Sequence, residues 1–328
     1  MKIVTTFLFI ALSFIGCIDD APRDNPLDPL SPSFMKEGAL SGMVVIANQT
    51  IPVTGAMVMA LGDKISVTTD SSGKFNFGKL TSGTQLFLCT KQNYSNDTFQ
   101  VTIQPGVTQT VIRGLNGAPI VTFQQILTRK IDQYFPSPQY FVDITATVSD
   151  PNGVADLDSV WFGVVGFKYP MTYSVATKNF HATIYKYDFP TNTIQWLVGK
   201  PLTIISKDVH NAFNISTPFY VTRVIENEAT PISPSPFLKD TVTQDSLIFK
   251  WTPPDVTFDY TYTLTLSRVD GGTQTVRWFL ENIISNNEQL PYSGDPSLLT
   301  QGNYLWTLTV VDVFGNYARS KESSFVVR

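Results

Sequence analysis

Four scarcities narrow what this 328-residue chain can be. It has two cysteines, Cys17 and Cys89. No disulfide framework can be built on so few, and the folds must rest on hydrophobic cores. It has two histidines, His181 and His210, and no Cys/His set with zinc spacing. There is no block of lysine and arginine, and the formal net charge is −4, so a nucleic-acid partner is not expected. There is no apolar run approaching the roughly 20 residues of a membrane-spanning helix. Motifs of hydrolytic or phosphate chemistry are missing too: no G-x-S-x-G, no H-E-x-x-H, no phosphate-cradling glycine loop. No residue is assigned a catalytic role, and the chain is not expected to be an enzyme.

What is abundant is Thr, Val, Ser, Phe and Tyr, the composition of strands rather than helices. The expected fold class is all-β, as three tandem β-sandwich domains behind an N-terminal leader and a Pro/Asp-rich tether. The divisions fall at residues 1–16, 17–37, 38–115, 117–224 and 228–328.

Lys2 is followed by a short apolar run, Ile3 to Ile15, and then by Gly16-Cys17. A positive residue, a short apolar stretch and a small residue before a cut site make a secretory signal. Phe14-Ile15-Gly16-Cys17 resembles a bacterial lipobox. That resemblance implies cleavage between Gly16 and Cys17 and covalent diacylglycerol on the Cys17 thiol, with further acylation of the new amino group. One acyl chain holds a protein only marginally, at about 0.8 kcal/mol per buried CH₂, whereas two or three hold it stably. Apart from a possible calcium ion, no other cofactor is expected. Behind Cys17, Pro22, Pro26, Pro29 and Pro32 block helix and favour an extended spacer of about 3.1 Å per residue. Asp19, Asp20, Asp24 and Asp28 keep that spacer off an anionic lipid surface. Arg23-Asp24-Asn25-Pro26-Leu27-Asp28-Pro29 resembles a segment that follows the cysteine in lipoproteins of Bacteroidota-like bacteria. The expected location is therefore the cell envelope, as an outer-membrane lipoprotein, with exposure at the cell surface as a hypothesis.

In the first domain, Asp70-Ser71-Ser72-Gly73 reads as a turn between alternating runs. Phe75 and Phe77 alternate with Lys74 and Asn76, which gives one buried face and one wet face. With Gly42, Pro52, Gly55, Leu80, Gly83 and Tyr94, the spacing resembles the carboxypeptidase regulatory-like domain, a small transthyretin-like sandwich. That resemblance implies a stalk, spacer or binding module without catalytic groups. Cys89, in Leu86-Phe87-Leu88-Cys89-Thr90, reads as a small core residue.

The second domain resembles bacterial immunoglobulin-like domains. Val142, Ile144, Ala146 and Val148 form the apolar face of one strand, and Leu157 to Val164 form the next. Between them Asp150, Asn152, Asp156 and Asp158 crowd one short loop. One reading is turn capping by Asp and Asn. The other is a calcium site, although the spacing is not that of an EF-hand. The domain is also rich in aromatics. Trp161, on the face opposite Val160 and Phe162, would join Trp196 and Tyr185 in a platform for sugar rings; the alternative is sandwich packing.

The third domain resembles a fibronectin type III-like domain, with Trp251 in the core and Tyr304 as its corner tyrosine. A weak repeat, Asp208-Val-His-Asn-Ala and Asp312-Val-Phe-Gly-Asn-Tyr, marks the last hairpin of two related sandwiches. The functional expectation is a non-catalytic, membrane-anchored envelope protein that binds carbohydrate or a partner protein. The alternative is a structural spacer or an accessory subunit of an envelope complex.

Overall fold

The computed structural model describes residues 36–235 and 240–328, together with residues 24, 25, 28, 30 and 31. The chain divides into two compact units, Met1–Leu115 and Asn116–Arg328. Both are built of strands, and the helical pieces are short 3₁₀ turns.

In the first unit, β1 (Glu37–Ile46) lies between β4 (Lys74–Thr81) and β7 (Thr108–Leu115), antiparallel to the former and parallel to the latter. The facing sheet runs in the order β3 (Ile65–Thr68), β2 (Met57–Ala60), β5 (Gly83–Thr90), β6 (Asp97–Ile103). The alternation expected at Lys74–Phe77 is observed. Phe75 and Phe77 are buried, and with Phe87 and Phe99 they form a ladder of rings 5.3 to 6.1 Å apart. The Asp70 turn is capped as its sequence requires, with Oδ1 accepting from the Ser72 and Lys74 amides. Gly73 has φ 71°, and a Cβ there would lie 2.5 Å from the Val44 carbonyl oxygen. Only glycine fits. Cys89 is fully buried in this core, and burial pushes its thiol up to about 11. It is an inert packing residue.

In the second unit, one layer of the first sandwich, the chain's second, is β8 (Ile120–Ile131), β9 (Gln139–Ser149), β13 (Asn179–Tyr185) and β12 (Thr172–Ser174). The other is β11 (Phe167–Pro170), β10 (Leu157–Val164), β14 (Leu202–Asp208) and β15 (Phe213–Ile215). Val142, Ile144, Phe162, Leu202 and Ile204 fill the space between. In the C-terminal half, β16 (Thr230–Ser233), β18 (Ile248–Thr252) and β21 (Gln289–Pro291) form one sheet. They share a core with β19 (Tyr260–Asp270), β20 (Thr273–Ile284), β22 (Gly302–Asp312) and β24 (Ser323–Val327). A short β17 (Asp240–Val242) pairs with β24. Trp251 and Trp306 are buried there as packing, and the Tyr304 hydroxyl donates to the Thr300 carbonyl at 2.8 Å, as a corner tyrosine does.

The two halves are not separate beads. A three-residue strand, β23 (Tyr317–Arg319), pairs with β22 on one side and, in parallel, with Arg129–Ile131 of β8 on the other. It splices both sandwiches into one ten-stranded sheet. The splice is lined with polar groups. Asn316 Oδ1 accepts from the Thr128 amide at 2.9 Å, and Thr128 Oγ1 donates to the Arg223 carbonyl at 2.7 Å. Arg129 donates to the Gly315 carbonyl and pairs with Asp143 at 3.0 Å, its guanidinium 4.3 Å from the Tyr317 ring centre.

A continuous sheet carries disruption from one core to the other. Ile144→Ala in one core and Leu264→Ala in the other, both fully buried, should each remove about 3 kcal/mol from a single melting transition of residues 116–328. Calorimetry with residue-resolved hydrogen exchange checks this; protection lost in one sandwich alone would contradict it.

Candidate functional site

The loop from β9 to β10 and the turn from β14 to β15 meet at one end of the second sandwich. The loop opens as the sequence requires: Asp150 Oδ1 accepts from the Asn152 amide at 2.7 Å, and Gly153, at φ 105°, donates its amide to the Asp150 carbonyl. The four residues grouped from sequence then part ways. Asn152 Oδ1 accepts from the Gly117 amide at 2.8 Å and serves as a clasp on the incoming chain. Asp158 is turned outward, accepts from Ser159 Oγ at 2.8 Å and faces Lys207 at 3.9 Å. Asp150 and Asp156 stay inside. Their company is a set that the local spacing did not include: Asp208, His210 and Asn116.

Asp208 has no exposed surface. Its Oδ1 accepts from the His210 and Ala212 amides at 2.9 and 2.7 Å, and its Oδ2 accepts from Asn116 Nδ2 at 2.6 Å. His210 Nδ1 lies 3.3 Å from Asp156 Oδ1, and ligating atoms of Asp156, Asp208 and His210 all fall within 4.8 Å of one another. Burial, reinforced by the charges of Asp156 and Asp208, pushes the Asp150 carboxyl up to about 6. Among the described residues, no lysine or arginine pairs with Asp150, Asp156 or Asp208.

The weak sequence repeat turns out to be a structural one. Asp312 repeats the Asp208 turn bond for bond: Oδ1 accepts from the Phe314 and Asn316 amides, each at 2.9 Å, and the Asp312 amide donates to the Asn316 carbonyl. The difference lies at the second oxygen. Asp312 Oδ2 receives Asn316 Nδ2 at 3.0 Å and the Arg223 guanidinium at 3.2 Å, which also lies 3.8 Å from the Phe258 ring centre. The third sandwich thus neutralises its buried aspartate with an arginine under an aromatic ring.

The three aromatics grouped as a platform do not share a surface. Trp161 lies on β10, in one sheet, with Lys168 Nζ 4.7 Å from its ring centre. Trp196 lies on a 3₁₀ turn, packed on Phe167 and Phe189, with Lys200 Nζ at 3.5 Å. Tyr185 ends β13, in the opposite sheet. Tyr185 is 43% exposed and its neighbour Tyr187 68%. Lys186 lies between them in sequence, its Nζ 4.8 Å from the Tyr187 ring centre and 4.9 Å from that of Tyr140. That patch was not legible as one, because it needs β9 and β13 side by side.

A cleft of about 510 Å³ lies where the two sandwiches join, lined by Asp132, Tyr134, Glu228, Thr230, Lys321 and Glu322. Its buried ion pair is Lys130 with Glu228. Burial opposes the Lys130 ammonium, but the hydrogen bond and charge of Glu228 outweigh it and raise its pKa. Asp132 is raised by burial and by its bond to Glu228. These groups are committed to one another. Gly16 and Cys17, the sequence's cleavage and lipidation residues, lie outside the described residues.

Residues 39–115 match the family model of the carboxypeptidase regulatory-like domain. No curated protein matches the chain. Solved structures similar to it include the major pilin subunit BcpA of Bacillus cereus, at 13% identity and TM-score 0.30, covering 89% of this chain and 98% of that one. The fibronectin(III)-like modules of Clostridium thermocellum CbhA match at 14% identity and TM-score 0.30, covering 64% of this chain and 92% of that one. A DUF3823 family protein from Bacteroides ovatus matches at 12% identity and TM-score 0.25, covering 56% and 97%. Likeness of this degree carries nothing about activity or partners.

Arg223 is the counter-charge of a fully buried carboxylate. Arg223→Met should therefore destabilise the second unit by about 3 kcal/mol, because Asp312 is left charged and uncompensated. Arg223→Met/Asp312→Asn should recover much of that loss. Urea unfolding of both variants measures it; equal stability of Arg223→Met and wild type would refute the assignment.

Proposed function

We propose that the chain is a non-catalytic, lipid-anchored protein of a bacterial cell envelope that displays its β-sandwiches for binding. The observation that carries this is Phe14-Ile15-Gly16-Cys17 behind Lys2 and a short apolar run, followed by the Pro/Asp tether. Among the described residues no helix is long and apolar enough to cross a membrane, so attachment is assigned to lipid on Cys17. The outer membrane is the expected site, with the tether holding the sandwiches away from the bilayer.

The binding face is assigned to the strand end at Tyr185, Lys186 and Tyr187, where two exposed phenol rings bracket Lys186 in sequence and its ammonium lies 4.8 Å from the Tyr187 ring centre. Aromatic faces stack on sugar rings, and Tyr and Lys together also suit a protein partner with acidic groups. A second reading is a structural spacer. It is favoured by Trp161 and Trp196, whose rings are each engaged by a lysine of their own sandwich.

Expression in a native-like bacterial host should yield a mass increment of diacylglycerol, with or without a further acyl chain, on Cys17. Cys17→Ala should abolish it and release the protein from membranes; an unlipidated wild-type chain in the medium would overturn the anchor. For the binding face, Tyr185→Ala/Tyr187→Ala should weaken capture by a glycan array or an envelope-protein fraction by about tenfold or more, on the scale of lost aromatic anchors. Trp161→Ala should leave capture unchanged. Equal binding by all three proteins, or none by the wild type, would favour the spacer.

A further inference from the structure

Turn capping accounts for half of the acidic end of the second sandwich. It uses Asp150 Oδ1 and Asp208 Oδ1, each bonded to backbone amides. It does not use Asp150 Oδ2 or Asp156 Oδ2, which are buried from solvent and accept no hydrogen bond. Nor does it use the amide oxygen of Asn116, also buried without a donor, whose nitrogen is spent on Asp208 Oδ2. A buried oxygen left without a donor costs about 1–3 kcal/mol, more if it is charged. These three oxygens sit on Asn116, which bonds Asp208, on Asp156, whose carboxylate lies within 4.8 Å of it, and on Asp150, which feels its charge, and the loop's own geometry does not explain them.

The internal copy is independent of that count. The same aspartate, in the same turn, holds the Arg223 guanidinium on its second oxygen in the third sandwich. At the corresponding oxygen of Asp208 stands the neutral amide of Asn116, and the nearby carboxylates of Asp150 and Asp156 add negative charge where the copy has a cation. The turn is conserved within the chain, and its counter-ion is missing from the second copy's side chains.

We propose that this end of the second sandwich binds a calcium ion between Asp150, Asp156 and Asp208, with the Asn116 amide oxygen as a neutral ligand. The donor set is all oxygen, which suits a hard cation. Calcium takes about 6–8 oxygens at roughly 2.3–2.6 Å, including monodentate and bidentate carboxylates, with water completing the shell. His210 stays outside the shell on the outer oxygen of Asp156. The ion takes the place that Arg223 takes in the third sandwich, and it ties Asn116, at the start of the second unit, to the β9–β10 loop and the β14–β15 turn. This site does not depend on the anchor or on the tyrosine face, and their tests do not bear on it.

The test is calcium binding by the full-length chain in detergent after removal of metal by a chelator. Calorimetric titration and melting curves would run to about 10 mM calcium, above the roughly 0.1–1 mM affinities of extracellular calcium modules. Saturable binding near one ion per chain is expected, with a rise in Tm of about 3 °C. Asp150→Asn and Asp156→Asn should each weaken binding at least about tenfold, because the charge of the ligand set tunes affinity. Asp158→Asn should leave it unchanged. Circular dichroism confirms that the variants fold, and Asp150 and Asp156 are chosen over the fully buried Asp208 for that reason. No calcium-dependent change in wild type, binding undiminished by both variants, an equal loss in Asp158→Asn, or a response to zinc with none to calcium would each overturn the proposal.

Discussion

The second unit depends on how three residues, Tyr317 to Arg319, satisfy two sheets at once. A strand that short has little stability of its own, since isolated strand pairs are marginal in water. Here it is held between β22 and β8, and the turn before it is fixed from both sides. Asn316 accepts from Thr128 of the second sandwich while its amide donates to Asp312 and to Thr222 of the connecting segment. Asp312 in turn takes Arg223 from that segment. Each bond is modest alone, about 1 kcal/mol net, but each group is buried or nearly so, and removing one partner strands the other. The polar splice therefore specifies one register for two sandwiches that apolar packing alone would leave free to slide.

The same turn carries the electrostatic question of the second sandwich. A buried carboxylate must be compensated by donors, by a counter-charge or by protonation. Asp312 has donors and a counter-charge. Asp208 has donors only, beside two more carboxylates, one of which is held part-way toward its protonated form at about 6. That shift comes first from burial and only then from the neighbouring carboxylates, and a divalent ion would balance those charges without protonation. The two sandwiches thus share a turn and differ in how they close it, one with an arginine under Phe258 and one with the neutral amide of Asn116.

Much of this was legible in the residues. The period-two alternation of Phe75 and Phe77, and of Val142 to Val148, announces a half-buried strand wherever it occurs, and the Asp70 and Asp150 turns carry their caps within four residues. Trp251 and Tyr304 were readable because their roles are set by local strand position. What was not legible is non-local. The parallel pairing of Arg129–Ile131 with Tyr317–Arg319 joins segments nearly two hundred residues apart, with no signature in either. Asp158 was grouped with the acidic set because it is close in sequence, but it falls on a strand, where alternation turns it away from the loop and toward Lys207. Asp208 was read as a turn residue, which it is. Its second role appears only when β14 is laid beside β10. Asn116 carried no local signal at all. The platform failed for a like reason: Trp161 and Tyr185 are each half-exposed strand aromatics, and strand order put them on different sheets.

If the chain is anchored at one end, as proposed above, the splice gains a mechanical sense. On the reading proposed above, a lipid on Cys17 would hold the N-terminal side of the chain at a bilayer. Whatever precision a binding face needs must then come from the folded part. Two sandwiches on a flexible linker would hold a shared surface poorly, because each residue left free costs order when a ligand arrives. Two sandwiches in one sheet meet that cost during folding. Tyr185 ends β13, in the same ten-stranded sheet that β23 completes, so a binding face proposed there would be held by the sheet that joins the halves. On that reading the buried polar splice is the condition for presenting a defined surface from the two joined sandwiches.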